Sequence, residues 1–218
     1  MSKGTRLRLV ILISGGGSNL QSIIDGCNDG SIDAQVAGVI SNRPGVRGLQ
    51  RAQQAGIHAE ALDHEAFSRR EDFDAALIER IDRYRPDLVI LAGFMRILTP
   101  EFVRHYSGRM LNIHPSLLPD FQGLHTHRRA LEAGKREHGA SVHFVTEELD
   151  GGPVVLQASV PVLADDDEAK LAARVLQQEH RIYPAVIQWL AEGRLQIDDG
   201  HQLRFDGEPL GSPIRWTA

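Results

Sequence analysis

The chain has 218 residues, 42% of them hydrophobic, which is enough for one sizeable α/β core and predicts a single domain over 1–218. A formal net charge of -5 without a basic block argues against nucleic acid as a partner, and no run approaches the ~20 apolar residues of a membrane span. The single cysteine, Cys27, cannot form an intrachain disulfide, so we expect a cytoplasmic protein.

The first half of the chain alternates between short apolar strands and helices. Leu7 to Ile13 is apolar on both faces, as in a buried strand, and is followed by three glycines and a helix to about Asn28, which Ser18 or Asn19 can cap. Further strands are predicted at 35–41, 58–62, 88–92 and 109–113, with helices ending near 55, spanning 68–84 and opening at 99–100. This alternation predicts a parallel, doubly wound, three-layer sheet.

The second half has a different character. Residues 140–145 and 154–160 read as strands whose connection is too short for a helical crossover, so we expect an antiparallel pair. A long helix over 169–191 follows. The tail, 196–218, contains the turn signals Asp199-Gly200 and Asp206-Gly207 and is expected to form a small hairpin or an irregular segment. The predicted fold class is therefore α/β, mostly parallel, with an antiparallel pair in the C-terminal half.

Three glycines, Gly15–Gly17, follow the first strand, and we call them the glycine loop. Bare N–H groups at a helix start favour an anion such as phosphate. The loop is neither a dinucleotide fingerprint nor a P-loop, because Leu20 stands where the third glycine would be and no Gly-Lys-Ser/Thr follows. A tight turn without a ligand is the alternative.

The segment Gly93–Leu98, which we call the apolar loop, follows another buried strand at the edge where open α/β sheets place ligands. Apolar side chains with one guanidinium, Arg96, suit a flat heterocycle. Packing of the loop onto its own helix is the alternative interpretation.

Asn112 and His114 stand two residues apart after an apolar stretch, and Asp150 opens a later Gly-Gly-Pro turn. Residues two apart on a strand point to the same side, so an amide and an imidazole can converge on one developing charge. A carboxylate beside the imidazole would hold it in the cationic form. These groups predict oxyanion stabilisation and proton transfer at a carbonyl carbon, against the alternative of a hydrogen-bonded turn.

Several histidines, His125, His127, His138 and His143, raise the possibility of a metal site. Their spacing matches no known ligand pattern, and a helix N-terminus capped by Thr126 explains part of the run better. We therefore expect no metal.

Taken in order, five segments resemble the folate-dependent phosphoribosylglycinamide formyltransferase family of purine biosynthesis. They are Ile11 to Asn19, Leu91 to Ile97, Asn112 to Pro119, His143 to Val145, and Asp150 to Pro153. The resemblance covers nearly the whole chain except the last twenty or so residues, and such colinearity is more specific than any one motif.

The resemblance implies transfer of a formyl group from 10-formyltetrahydrofolate to glycinamide ribonucleotide, with a ribonucleotide-binding half at about 7–110 and a catalytic and folate-binding half at about 111–195. It implies that the catalytic residues are Asn112, His114 and Asp150. The implied ribonucleotide contacts are Gly17, Ser18, Asn19 and Glu179. The implied folate contacts are Arg70, Met95, Arg96, Ile97, Leu98, Asn112, Thr146, Glu147, Glu148, Leu149 and Asp150.

Two departures from the family stand out: Gly16 replaces an asparagine, and Asp120 stands where a basic residue is frequent. Rival functions are other folate formyl chemistry, on methionyl-tRNA, an amino sugar or water, and a noncatalytic nucleotide-binding module. The partners implied are small molecules, with no nucleic acid and no membrane, and the chain is expected to be a monomer or a homodimer.

Overall fold

The computed structural model describes residues 6–198, 200 and 202–217. Within them, one large sheet has eight strands in the order β11-β7-β6-β5-β4-β1-β2-β3. The strands are β1 (Leu7–Ile13), β2 (Ala34–Ser41), β3 (Ala59–Ala61), β4 (Leu88–Leu91), β5 (Met110–His114), β6 (Glu137–Phe144), β7 (Val154–Pro161) and β11 (Ile214–Arg215). The described helices are α1 (Ser18–Asp29), α2 (Arg47–Gln54), α3 (Arg70–Arg83), α4 (Pro100–His105), α5 (Thr126–Glu132) and α6 (Glu168–Ala191).

The sheet is mostly parallel, with one strand reversed. Strand β6 runs antiparallel to both of its neighbours, β5 and β7, whereas the other described pairings in this sheet are parallel. The predicted fold class, including the antiparallel pair in the second half, is confirmed.

Both faces of the sheet are buried, which makes three layers. Alternate residues of β1 face opposite sides: Leu9 and Ile11 belong to the core shared with α1 and α6, and Val10 belongs to the core shared with α3 and α4. Each fully buried leucine or isoleucine contributes roughly 1.5–3 kcal/mol relative to an exposed one. This two-sided burial explains why the strand lacks a polar face.

The described part of the tail forms short β-strands. Strands β8 (Leu195–Ile197), β9 (Leu203–Phe205) and β10 (Glu208–Pro209) form a small antiparallel sheet, and β11 then joins the edge of the main sheet beside β7. The hairpin prediction is confirmed, with the β9–β10 turn at Asp206-Gly207. Asp199 of the other predicted turn lies outside the described residues.

The predicted cap of α1 is wrong. Neither Ser18 nor Asn19 caps α1; the N-cap is Gly17, in the left-handed region with φ of 70°, and no side chain bonds to the helix start. The N–H groups of the first turn are therefore uncapped by side chains.

Among the described residues, no helix is both long and apolar enough to cross a membrane.

Candidate active site

Asn112 and His114 project from the same face of β5. Their neighbours Leu111 and Ile113 point into the core on the opposite face. Across the strand pair, Asn112 is opposite His143 of β6, so His143 projects from the same face as Asn112. The two-residue spacing and the register of β5 against β6 thus bring an amide and two imidazoles together on one side of the sheet.

His114 is held between two acceptors. Its Nε2 lies 3.0 Å from the Phe121 carbonyl oxygen, and its Nδ1 lies 3.5 Å from Oδ2 of Asp150. A carbonyl and a carboxylate can only accept, so an imidazole protonated on both nitrogens suits both neighbours. Both side chains are nearly buried, with 7% of His114 and 10% of Asp150 exposed, which strengthens their electrostatic interaction.

Asp150 reaches His114 from the loop between β6 and β7, residues 145–153, which we call the Asp150 loop. The residue has a positive φ of 49°. Its Oδ2 accepts a 2.9 Å hydrogen bond from the Gly123 N–H, and its carbonyl accepts one of 3.3 Å from the Gln122 side chain. Two loops are therefore tied together where the carboxylate meets the imidazole.

His143 connects Asn112 to the same cluster. His143 Nδ1 lies 3.0 Å from the Phe144 carbonyl and donates to it, so Nε2 carries the lone pair and accepts from the Asn112 amide at 3.1 Å. Burial is the largest influence on His143 and lowers the pKa of its ring, which favours the neutral form. The Phe144 carbonyl and Asp150 act in the opposite direction. The amide nitrogen of Asn112 is thereby oriented, and its second N–H remains for a ligand.

We call Asn112, His114, His143 and Asp150 the polar cluster. His143 Nε2 lies 3.7 Å from Oδ1 of Asp150, so the imidazole and the carboxylate are neighbours in the cluster. The sequence predicts catalytic roles for three of its members, whereas His143 is predicted only to belong to a family-like segment and to be a candidate metal ligand. The sequence does predict a strand at 140–145, which contains His143. It does not reveal the register of that strand against β5, which places His143 opposite Asn112.

The candidate ribonucleotide residues also come together. Asn19 Nδ2 donates a 2.7 Å hydrogen bond to Oε2 of Glu179, which joins the start of α1 to α6 beside the glycine loop. Burial raises the pKa of Glu179, and the bond from Asn19 opposes this shift. Asn19 Oδ1 is buried and has no partner among the described residues. An unpaired buried acceptor at an uncapped helix start is suited to a polar ligand.

The candidate folate residues lie on four segments: α3, the apolar loop, β5 and the Asp150 loop. Met95, Ile97 and Leu149 are 65%, 61% and 52% exposed, so large apolar side chains of the apolar loop and the Asp150 loop face solvent. Arg96 lies with its guanidinium carbon 5.7 Å from the centre of the Phe73 ring, and its Nε is buried without a partner in the described part of the chain. Glu147 forms an exposed ion pair with Arg104 at 3.0 Å.

The apolar loop is anchored at both ends. At its start, the Met95 N–H donates to Ser14 Oγ at 2.7 Å, and Ser14 Oγ donates to Asn42 Oδ1 at 2.6 Å. At its end, the Thr99 N–H donates to Oδ2 of Asp74 at 2.6 Å. Burial raises the pKa of Asp74, and the hydrogen bond from Thr99 acts in the opposite direction. The middle of the loop is thus presented to solvent between fixed ends.

Replacing Asp74 with alanine is expected to destabilise the fold by about 1–3 kcal/mol, because the buried Thr99 N–H would lose its acceptor. Urea unfolding measures the change. Asp72→Ala, at an exposed position on the same helix, is the control and should stay within about 0.5 kcal/mol. Equal midpoints and slopes for Asp74→Ala and the unmodified protein would contradict the anchoring described above.

The two departures from the family have different surroundings. A Cβ atom at Gly16 would have nothing within 4 Å, so the position is open. Asp120 pairs with Lys135 at 2.6 Å, and Lys135 also lies 5.6 Å from the centre of the Phe121 ring. The acidic side chain is therefore neutralised on the surface, while the neighbouring carbonyl of Phe121 contacts His114.

The histidines do not assemble around a shared centre. His138 Nε2 lies 3.2 Å from Nδ1 of His127, and burial together with His127 lowers the pKa of His138 to about 4. The described residues contain no group of three or more histidine, cysteine, aspartate or glutamate side chains placed to hold a metal ion. The predicted cap of α5 is wrong: Thr126 is the first residue of the helix, and the N-cap is His125, with no side-chain hydrogen bond to the helix start.

A family model described as formyl transferase matches residues 7–187, and the chain belongs to this family. The resemblance found in the motifs is confirmed. The phosphoribosylglycinamide formyltransferase of Escherichia coli strain K12 is 60% identical over 94% of this chain and 96% of that protein. The protein of the same name from Haemophilus influenzae is 49% identical over 93% and 95%. The solved phosphoribosylglycinamide formyltransferase from Coxiella burnetii superposes with a TM-score of 0.92, at 49% identity, covering 97% of this chain and all of that one.

Proposed function

We propose that this chain transfers a formyl group from 10-formyltetrahydrofolate to the amine of glycinamide ribonucleotide, a step of de novo purine biosynthesis in the cytoplasm. Membership of the formyl transferase family supports the reaction class. The relatives' names support the ribonucleotide. The observation that carries the chemistry is the polar cluster, which sets an amide donor and an imidazole–carboxylate pair on one face of the sheet.

The proposed ligand positions follow from the chemistry of the described residues. Gly17, Ser18 and Asn19 would bind the phosphate end of the ribonucleotide, and Glu179 would also contact this substrate. Arg70, Met95–Leu98 and Thr146–Asp150, together with Asn112, would hold the folate, because exposed apolar side chains suit a flat ring and guanidinium groups suit a carboxylate. The buried unpartnered Nε of Arg96 agrees with such a polar ligand.

In the proposed mechanism, the amine of the ribonucleotide attacks the formyl carbon directly. The new C–N bond forms as the carbonyl oxygen becomes an oxyanion, which Asn112 and protonated His114 stabilise by donation. The bond from the formyl carbon to N10 of the folate then breaks, and the proton lost by the amine replaces the formyl group on N10. No covalent bond to the enzyme is needed.

The contacts of His114 indicate which nitrogen would serve. Its Nε2–H is engaged by the Phe121 carbonyl at 3.0 Å. Donation to the oxyanion therefore belongs to the Nδ1 side, where Asp150 lies at the longer distance of 3.5 Å. Asp150 would sustain the imidazolium and assist proton movement through water.

Asp150→Asn is expected to lower kcat by about 100-fold, because an amide carries no charge to complement the His114 imidazole and cannot accept a proton. Asp120→Asn, which removes an exposed carboxylate, is the control for net charge. A kcat for Asp150→Asn equal to that of Asp120→Asn would refute the coupling.

The proposed reaction is tested by mixing purified protein with 10-formyltetrahydrofolate, with and without glycinamide ribonucleotide. We expect release of tetrahydrofolate, followed by absorbance, only when the ribonucleotide is present, and a product heavier by one formyl group. Release at the same rate without the ribonucleotide would instead identify a hydrolase. Binding of the ribonucleotide without any release would identify a noncatalytic module.

A further inference from the structure

Helix α2 braces the glycine loop from outside the candidate site. The Gly48 N–H donates to the Gly15 carbonyl at 3.0 Å. The two backbones approach closely, because a Cβ atom at Gly17 would lie 2.7 Å from Cα of Gly48. Glycine at both positions therefore allows the first turn of α2 to pack directly on the loop.

Arg51, one turn further along α2, binds the loop and the helix that follows it. Its Nε donates to the Gly16 carbonyl at 2.9 Å, and its Nη1 donates to Oε1 of Gln21 at 3.1 Å. Gln21 Nε2 in turn donates to Oδ1 of Asp25 at 2.9 Å, which orients the amide for Arg51. One guanidinium thus connects α2, the glycine loop and α1.

The loop itself offers little resistance to movement. Cβ atoms at Gly15 and Gly16 would meet nothing within 4 Å, so side-chain packing could not hold either position. Three consecutive glycines have high backbone entropy in the absence of external contacts. The two hydrogen bonds from α2 therefore supply the order that the loop's own side chains do not.

We propose that Arg51 is a positioning residue, which fixes the Gly16 carbonyl and with it the N–H groups of Gly17–Asn19 in the arrangement that binds the phosphate of the ribonucleotide. This inference rests on the proposed function. Arg51 acts through the loop rather than by touching the reacting atoms. Its charge also reaches His180, beside Glu179 on α6, where burial and Arg51 together lower the imidazole pKa.

Arg51→Gln is expected to raise KM for the ribonucleotide by about tenfold and to leave kcat and the KM for the folate within about twofold. Arg51→Lys keeps the positive charge, but its single nitrogen cannot reproduce the two hydrogen bonds of the planar guanidinium. We therefore expect a severalfold rise in KM for the ribonucleotide with this variant as well. Arg128→Gln removes an exposed guanidinium on α5 and is the control for net charge. If Arg51→Lys has the KM of the unmodified protein while Arg51→Gln has a raised KM, the positive charge alone explains the effect. That result would overturn the proposal that the guanidinium positions the glycine loop.

A second substitution separates bracing from general damage to the fold. Gly16 has open space for a Cβ atom and no positive φ, so alanine there restricts the loop without strain. We expect the double variant Arg51→Gln, Gly16→Ala to have a KM for the ribonucleotide about threefold lower than the product of the two single effects. Additive effects in this cycle would contradict the inference.

Titration with inorganic phosphate distinguishes failure of this inference from failure of the proposed function. If the chain transfers no formyl group but Arg51→Gln still weakens phosphate binding by about tenfold, the bracing holds and the substrate assignment fails. If formyl transfer is present and Arg51→Gln binds both phosphate and ribonucleotide like the unmodified protein, the bracing fails. Thermal unfolding of each variant verifies that it is folded.

Discussion

Replacing His114 with alanine should lower kcat for formyl transfer by about 100-fold, since loss of one donor to a developing oxyanion typically costs about 3 kcal/mol. Asn112→Ala should have an effect of similar size. The two donors are carried by one strand, two residues apart, and each is oriented by a separate partner: the Phe121 carbonyl for His114 and the His143 ring for Asn112. Steady-state kinetics with both substrates saturating measures the change.

The double variant distinguishes joint action from independent action. Donors that stabilise the same oxygen are expected to act as a unit, so Asn112→Ala combined with His114→Ala should cost less than the product of the single effects. His105→Ala is a suitable control because its ring is exposed and pairs with Asp82 on the surface. Single variants that retain the turnover of this control would remove Asn112 and His114 from the mechanism.

Gly152→Ala is the second substitution with a large expected effect. A Cβ atom there would lie 1.9 Å from the Phe144 carbonyl oxygen and 3.0 Å from its carbon, so the backbone itself must shift. Asp150, two residues earlier, would move away from His114. We expect kcat to fall by about 100-fold, because small displacements of catalytic groups have effects of that order, and stability to fall by about 1–3 kcal/mol.

The adjacent glycine provides a matched control. A Cβ atom at Gly151 would lie 2.4 Å from Cδ and Cγ of Glu148, the far end of a flexible side chain that can rotate away. We therefore expect Gly151→Ala to lower kcat by less than about tenfold. Gly152→Ala with normal kcat, or with the same defect as Gly151→Ala, would mean that the Asp150 loop tolerates displacement. Steady-state kinetics measures kcat of the two variants, and urea unfolding measures their stability.

Much of the fold could be predicted because its signals are local. A run apolar on both faces indicates a buried strand, and the short connection between the last two predicted strands excludes a parallel pair. The side on which Asn112 and His114 lie follows from the two-residue period of a strand. These statements need no knowledge of what packs against the segment.

The remaining features depend on contacts between distant segments. The orientation of Asn112 by His143 depends on the register of β5 against β6. These two strands pair although Asn112 and His143 are some thirty residues apart in sequence. The bond from Arg51 to Gly16 and the anchor from Asp74 to Thr99 likewise join segments far apart in sequence. The wrong cap for α1 has a local cause: Gly17 adopts a left-handed conformation that favours glycine, so neither Ser18 nor Asn19 occupies the cap position.

The last short strand has a consequence for solubility. Strand β11, from the segment beyond the match to the family model, pairs with β7, and the Trp216 N–H extends the contact by donating to the Gln157 carbonyl at 2.8 Å. Without these residues, strand β7 would lose its pairing at Leu156 and Gln157, in the apolar middle of the strand. Open edges of that kind template pairing between molecules, so shortened versions of the chain should aggregate even where the polar cluster is intact.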